Sequence, residues 1–142
     1  MRLGPGLGLT FVALLLGGCI DTASAGHSEV IVNINHSRFE PEAFEFEQGD
    51  VVTFVVRNAD PIDHEFILGD EAVQDLHEKG AHPSHGDLPG EVSVAADSTA
   101  TTTYEFTAPG KLIIGCHLPA HYDYGMKAQV TIDPERLRRF SG

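Results

Sequence analysis

Three residues with metal-binding side chains lie close together near the end of the chain. Cys116, His121 and Met126 follow one another at Cys-x4-His-x4-Met spacing, between two apolar segments at 111–115 and 127–132. Both segments have the composition of β-strands, and a short loop between paired strands brings its own two ends together. We therefore expect a thiol, an imidazole and a thioether to face a common point.

The donor types predict which metal this loop binds. Soft thiolate and thioether ligands favour copper, and imidazole suits copper as well. Two histidines and a cysteine in a trigonal plane, with a weak axial methionine, form a blue (type 1) electron-transfer site. The second histidine must come from elsewhere, and His64 is the best candidate because it lies between a turn at 58–61 and an apolar segment. We predict one copper ion held by His64, Cys116, His121 and Met126.

The elements that must position these ligands are short strands. From Glu29 onward, apolar or alternating segments are separated by turn residues, with a possible helical turn near 70–79 that stops at Gly80. Strands at such close spacing with little helix predict an all-β sandwich of about seven or eight strands. The predicted strands are 29–34, 44–46, 51–57, 64–68, 91–94, 99–107, 111–115 and 127–132.

The residues from about 30 to 132 resemble a cupredoxin, the family of plastocyanin, azurin and pseudoazurin. The order His64, Cys116, His121, Met126 matches the ligand order of that family. The resemblance implies a Greek-key β-sandwich, a type 1 copper and one-electron transfer.

The loop spacing itself is more similar to the type 1 loop of multicopper oxidases. In those enzymes histidines on both sides of the cysteine bind a second, oxygen-reducing copper cluster. This chain keeps His117 but has Gly115 on the other side, and it contains no His-x-His pair. We therefore expect no coupled oxygen reduction and no enzymatic activity. His117 should point away from the copper, because strand neighbours face opposite sides. We expect it to be either a surface group near the electron path or a residue left over without a role in the site.

The first residues have the features of an export signal. Residues 1–18 carry a basic start and a short apolar stretch, and a membrane-spanning helix would need about 20 apolar residues. The end of the stretch resembles a bacterial lipobox in which Cys19 is lipidated, while cleavage after Ala25 is the alternative. We expect residues 19–28 to form a linker, 29–133 the domain and 134–142 a C-terminal tail. We therefore expect an exported protein that resides in the periplasm or cell envelope and is anchored in a membrane through lipid on Cys19.

The charge balance narrows the choice of partners. The chain has 21 acidic and 9 basic residues and a formal net charge of −12, which disfavours nucleic acid because phosphate binding needs a basic face. We expect a monomer that docks a redox partner weakly near Leu118–Ala120, beside His121. The alternatives are a copper carrier or storage protein, and an accessory copper domain that docks on a larger oxidase.

Further polar residues could support copper chemistry. His77, His82 and His85 lie within nine positions and form a possible second, weaker metal site, although loops often carry histidines without such a role. Asp63 and Glu65 flank His64 and could orient its ring, or could simply be exposed to solvent.

Overall fold

The computed structural model describes residues 27–80 and 88–134, which form nine strands and one helix. The strands are β1 (His27–Asn35), β2 (Arg38–Glu40), β3 (Ala43–Glu47), β4 (Val51–Asn58), β5 (His64–Gly69), β6 (Glu91–Val94), β7 (Thr99–Glu105), β8 (Gly110–Gly115) and β9 (Lys127–Asp133). The helix α1 (Glu71–Glu78) lies between β5 and β6. No helix among these residues is long and apolar enough to cross a membrane.

The strands form two sheets packed as a sandwich. One sheet has the order β2-β1-β4-β7, and the other has the order β3-β9-β8-β5-β6. Most neighbours are antiparallel, but β1 pairs with β4 and β3 pairs with β9 in parallel. Strands therefore lie beside partners distant in sequence, as in a Greek-key sandwich. The all-β Greek-key prediction is confirmed.

Alternating side chains build the core between the sheets. In β4, Val52, Phe54 and Val56 are fully buried while the residues between them are partly exposed. The Phe54 ring lies 5.1 Å from the ring of Phe66 on the opposite sheet, measured between centroids. Period-two burial of β-branched and aromatic residues is what fixes the register of these strands.

Helix α1 confirms the helical segment predicted near 70–79. The side chain of Asp70 caps its first turn by accepting a hydrogen bond from the backbone N–H of Val73 at 3.0 Å. The helix ends before Gly80, which has a φ of +67°. It packs on β5 and β8, the two strands that lead to the predicted copper ligands.

The structure also differs from the sequence prediction. The short strand β2 was not predicted, because three residues give too little pattern to recognise, so nine strands replace seven or eight. Strand β1 begins at His27, inside the segment expected to be a linker. The export signal, Cys19, the cleavage position after Ala25 and the tail from residue 135 lie outside the described residues, and so do His82 and His85.

Candidate metal centre

A hydrogen-bonded turn positions His64 at the start of β5. The Asn58 side chain donates to the backbone oxygens of Ile62 at 2.7 Å and Ala95 at 3.0 Å, and its oxygen accepts from the N–H of Asp60 at 3.0 Å. Asn58 thus joins the residues before β5 to the segment that follows β6. The turn is fixed, and His64 is buried with 1% of its surface exposed.

The loop between β8 and β9 is closed by its own backbone. The N–H of Cys116 donates to the oxygen of Met126 at 3.3 Å, and the N–H of Met126 donates to the oxygen of His121 at 3.0 Å. The N–H of His121 in turn donates to Leu118. As the spacing predicted, the loop brings its start and its end together.

The donor atoms of three residues converge at this end of the sandwich. His121 Nδ1 lies 3.3 Å from both Cys116 Sγ and His64 Nδ1, and Cys116 Sγ lies 4.0 Å from His64 Nδ1. Among the described residues, these three form the one group able to share a metal ion in this way. Two ligands of one ion are separated by at most two bond lengths, roughly 4.0–4.4 Å for nitrogen and sulfur on a metal such as zinc. One thiolate and two imidazoles fit a copper ion.

Asp60 fixes the orientation of the His64 ring. The Nε2 of His64 donates to Asp60 Oδ2 at 2.9 Å, which leaves Nδ1 to face the other donors. The Asp60 carboxylate also accepts from the backbone N–H groups of His36 and Ser37, both at 2.7 Å. Burial alone would raise the pKa of Asp60, but these two backbone hydrogen bonds and the contact with His64 lower the pKa below its usual value.

Sequence reasoning missed Asp60. The two neighbours proposed as orienting groups do other work: Asp63 accepts from the backbone of Ala96 at 2.9 Å, and Glu65 accepts from the backbone N–H of His117 at 3.3 Å. The position four residues before His64 was the available signal. A turn at 58–61 can fold the chain back and bring such a residue to the imidazole.

Burial controls the thiol of Cys116. The residue is fully buried, and this burial raises its pKa to about 11, against the lowering effect of backbone N–H groups from Glu65 and Leu118. The N–H of Glu65 lies 3.3 Å from the sulfur. In the metal-free protein the thiol is therefore protonated at neutral pH, and a bound metal must displace that proton.

His121 is the candidate donor nearest to the surface. Burial, followed by the neighbouring His64, lowers its pKa, so that the imidazole is neutral and able to bind metal at neutral pH. The half-buried His121 also lines a surface cleft of about 430 Å³ together with Pro119, Ala120 and Arg38. The loop segment expected to meet a partner thus lies beside the exposed side of His121.

Met126 stands at the end of the loop, as predicted. It is buried with 1% of its surface exposed, and its backbone is bonded to both Cys116 and His121. Its role as the axial ligand stays a prediction.

His117 points away from the three donors, as expected, but it is not a surface group. Its Nδ1 lies 2.8 Å from Glu78 and its Nε2 lies 2.7 Å from Gln74, both on α1. Its side chain is only 2% exposed because the helix covers it, and its ring stacks on Tyr122 with 4.4 Å between centroids. His117 therefore anchors α1 to the copper loop.

Steric crowding explains why position 115, on this same side of the loop, is a glycine. A Cβ built on it would lie 2.5 Å from the side-chain oxygen of Gln74 and 2.8 Å from the ring of Tyr122. The packing of α1 and the loop leaves no space for a larger residue there.

His77 is the one described member of the possible second metal site. Its Nδ1 donates to the backbone oxygen of Val73 at 2.9 Å, and its Nε2 lies 3.4 Å from Glu91. The ring therefore contributes to the packing of α1 and β6. A weaker metal site involving His82 and His85 stays a prediction.

Comparison with known proteins agrees with this geometry. The chain is 34% identical to the copper-resistant cuproprotein CopI of Rubrivivax gelatinosus over 116 residues, which is 79% of this chain and 70% of that protein. Auracyanin A, a blue copper protein of Chloroflexus aurantiacus, has a TM-score of 0.63 at 18% identity, with 76% of this chain and all of that chain covered.

An oxidase with copper in its name has a similar fold as well. The blue copper oxidase of Nitrosomonas europaea has a TM-score of 0.56 at 15% identity, and the match covers 78% of this chain and 40% of the oxidase. Residues 26–133 match the family of copper-binding proteins described as the plastocyanin/azurin family. With its copper-type donor set on a cupredoxin sandwich, the chain belongs to the plastocyanin/azurin family of copper-binding proteins.

Proposed function

We propose that this copper-binding protein transfers single electrons. The observation that carries the proposal is the arrangement of the donors of His64, Cys116 and His121, which lie 3.3–4.0 Å apart. Copper supplies the one-electron chemistry by cycling between Cu(I) and Cu(II) when bound at these residues. A site held by the protein in one arrangement rearranges little between oxidation states, which favours fast transfer.

The protein's own residues supply the rest of the mechanism. The backbone of Glu65 and the carboxylate of Asp60 hold the sulfur and the His64 ring in place. The buried surroundings exclude water from Cys116. The partly exposed His121 ring gives a redox partner a short approach to the centre, beside Leu118–Ala120. A small surface of this kind suits a weak, transient complex.

A spectroscopic experiment tests this function. The copper-loaded protein should show intense thiolate-to-copper absorption at about 600 nm that is bleached by a reductant and restored by an oxidant. Cys116→Ser should remove the band, since the sulfur is its source. A band that survives this substitution, or a copper centre that does not cycle, contradicts the proposal.

Copper carriage or storage is the second candidate, because the similar proteins are named copper-resistant cuproproteins. A carrier must release its ion, whereas the burial of Cys116 favours retention. Copper that passes readily from the loaded protein to a mild chelator, with no reversible redox couple, would favour the carrier. The third candidate is an accessory copper domain that docks on a larger oxidase, and a binding assay with such an enzyme tests it.

The cellular setting belongs to the proposal too. We place the mature protein outside the cytoplasm, in the periplasm or cell envelope, as a monomer without catalytic activity. The lipobox-like segment that ends at Cys19 supports a lipid anchor. Metabolic labelling with a fatty acid, compared between the natural chain and Cys19→Ala, tests the anchor.

A further inference from the structure

Two carboxylates contact the proposed copper ligands or the backbone next to them, yet neither belongs to the cluster of three donors. Asp60 Oδ2 lies 2.9 Å from Nε2 of the ligand His64. Glu65 Oε2 lies 3.3 Å from the backbone nitrogen of His117, which is the peptide nitrogen next to Cys116. One carboxylate therefore acts on the imidazole ligand, and the other lies against the backbone of the thiolate ligand.

Both groups are held in fixed positions. Asp60 is only 7% exposed and is fixed by two backbone N–H groups at 2.7 Å. Glu65 is half-buried in β5, and its own N–H points at the Cys116 sulfur at 3.3 Å. Fixed charges at the edge of a protein interior act more strongly than charges in water, since the effective dielectric constant is lower.

The charges reach the ligands. His64 Nδ1 and Cys116 Sγ each lie 3.3 Å from His121 Nδ1, so the carboxylate beside the His64 ring and the carboxylate beside the Cys116 backbone both lie close to the point where the donors converge. A carboxylate that favours positive charge on a ligand also favours positive charge on a metal bound to that ligand.

We infer that Asp60 and Glu65 stabilise the copper centre in its oxidised form and so lower its reduction potential. Cu(II) carries one more positive charge than Cu(I), and two fixed carboxylates stabilise the more positive ion more strongly. This inference deepens the proposed electron-transfer function, because it assigns residues that set the driving force. It also predicts that the site binds Cu(II) more tightly, relative to Cu(I), than it would without these two charges.

The test uses the full-length, copper-loaded protein and the variants Asp60→Asn and Glu65→Gln. Midpoint potentials are measured by optical redox titration, and Cu(I) and Cu(II) affinities are measured separately by chelator competition. We expect each variant to shift the ratio of the two affinities toward Cu(I) about tenfold, which corresponds to a potential higher by about 59 mV for one electron.

Matched controls separate charge from structure. Asp60→Glu and Glu65→Asp keep the negative charge, so their reduction potentials should stay close to that of the natural protein. Asp75→Asn removes an exposed carboxylate that pairs with Lys79 and should leave the potential unchanged. The unfolding of each metal-free variant reports any loss of stability.

The outcomes are distinguishable. Asp60→Asn removes one of the two carboxylate oxygens that accept hydrogen bonds, so we expect this variant to be less stable. Glu65→Gln keeps an acceptor for His117 and then decides the question. If the natural protein has a reversible couple but Glu65→Gln changes its midpoint potential no more than Asp75→Asn does, this inference is overturned and the proposed function stands. A natural protein with no reversible couple overturns the proposed function together with it.

Discussion

Copper binding should depend steeply on pH because the Cys116 thiol must lose its proton. Burial raises the pKa of this thiol to about 11. At pH 7 the thiolate is therefore disfavoured by about four pH units, or on the order of 5 kcal/mol. One proton is released for each copper ion bound. The apparent association constant should thus rise about tenfold per pH unit, or roughly 100-fold between pH 7 and 9.

The direction of this pH dependence, and the pH range over which copper binding changes, follow from the shifted pKa values of Cys116 and His121. Below about pH 11 the metal-free thiol is protonated, so copper binding weakens as pH falls. The lowered pKa of His121, caused first by burial, keeps its ring neutral at pH 7 and above, and this histidine should add to the slope only in more acidic solution.

The assay is anaerobic competition for Cu(I) with a colorimetric chelator whose own pH dependence is known. An apparent affinity that stays constant from pH 7 to 9 would refute the reasoning, since it would mean that the thiol is already ionised without metal.

A second measurement needs no copper. The pKa of Cys116 rises from 9.0 to about 11 on folding, so the metal-free protein should lose stability as pH rises through this range, by up to ~3 kcal/mol. Cys116→Ser should lack this part of the loss.

Three substitutions test the packing around the centre and the role of its predicted methionine ligand. Gly115→Ala should destabilise the metal-free protein by about 1–3 kcal/mol in denaturant unfolding, since its Cβ would meet Gln74 and Tyr122, and an unchanged midpoint would contradict that packing. Asn58→Ala removes the hydrogen bonds of the turn before β5 and should cost about 1–3 kcal/mol in the same assay, with weaker copper binding; normal copper affinity would show that the turn does not position the ligand. Met126→Leu should keep the thiolate absorption and change the reduction potential, whereas an unaltered potential would argue against an axial thioether.

The ligand loop could be predicted from sequence because its geometry is local. Cys116, His121 and Met126 lie within eleven positions, and the strand pattern on both sides fixes how the loop closes. His64 needed a further step, the expectation that a strand start after a turn lies at the same end of the sandwich. The structure brings its ring to the loop, 3.3 Å from His121.

The surroundings of the ligands could not be predicted in the same way. Asp60 is held by backbone groups 23 and 24 positions earlier in the chain, and His117 is held by side chains 39 and 43 positions away. Such contacts depend on how the two sheets and α1 pack, which hydrophobic alternation does not encode. Sequence therefore indicated the metal and its donors, while the carboxylate that orients His64 came from the three-dimensional structure.

The contacts of α1 explain why the resemblance to an oxidase loop need not bring oxidase chemistry. A second copper cluster of that type uses histidines on both sides of the cysteine. Here the position before Cys116 has no room for a side chain, because Gln74 and Tyr122 fill the space around Gly115. The position after it holds His117, whose two ring nitrogens already face acceptors on α1. Both flanking positions are committed to packing the helix, which supports the proposal that electrons pass through a single copper ion to a separate partner.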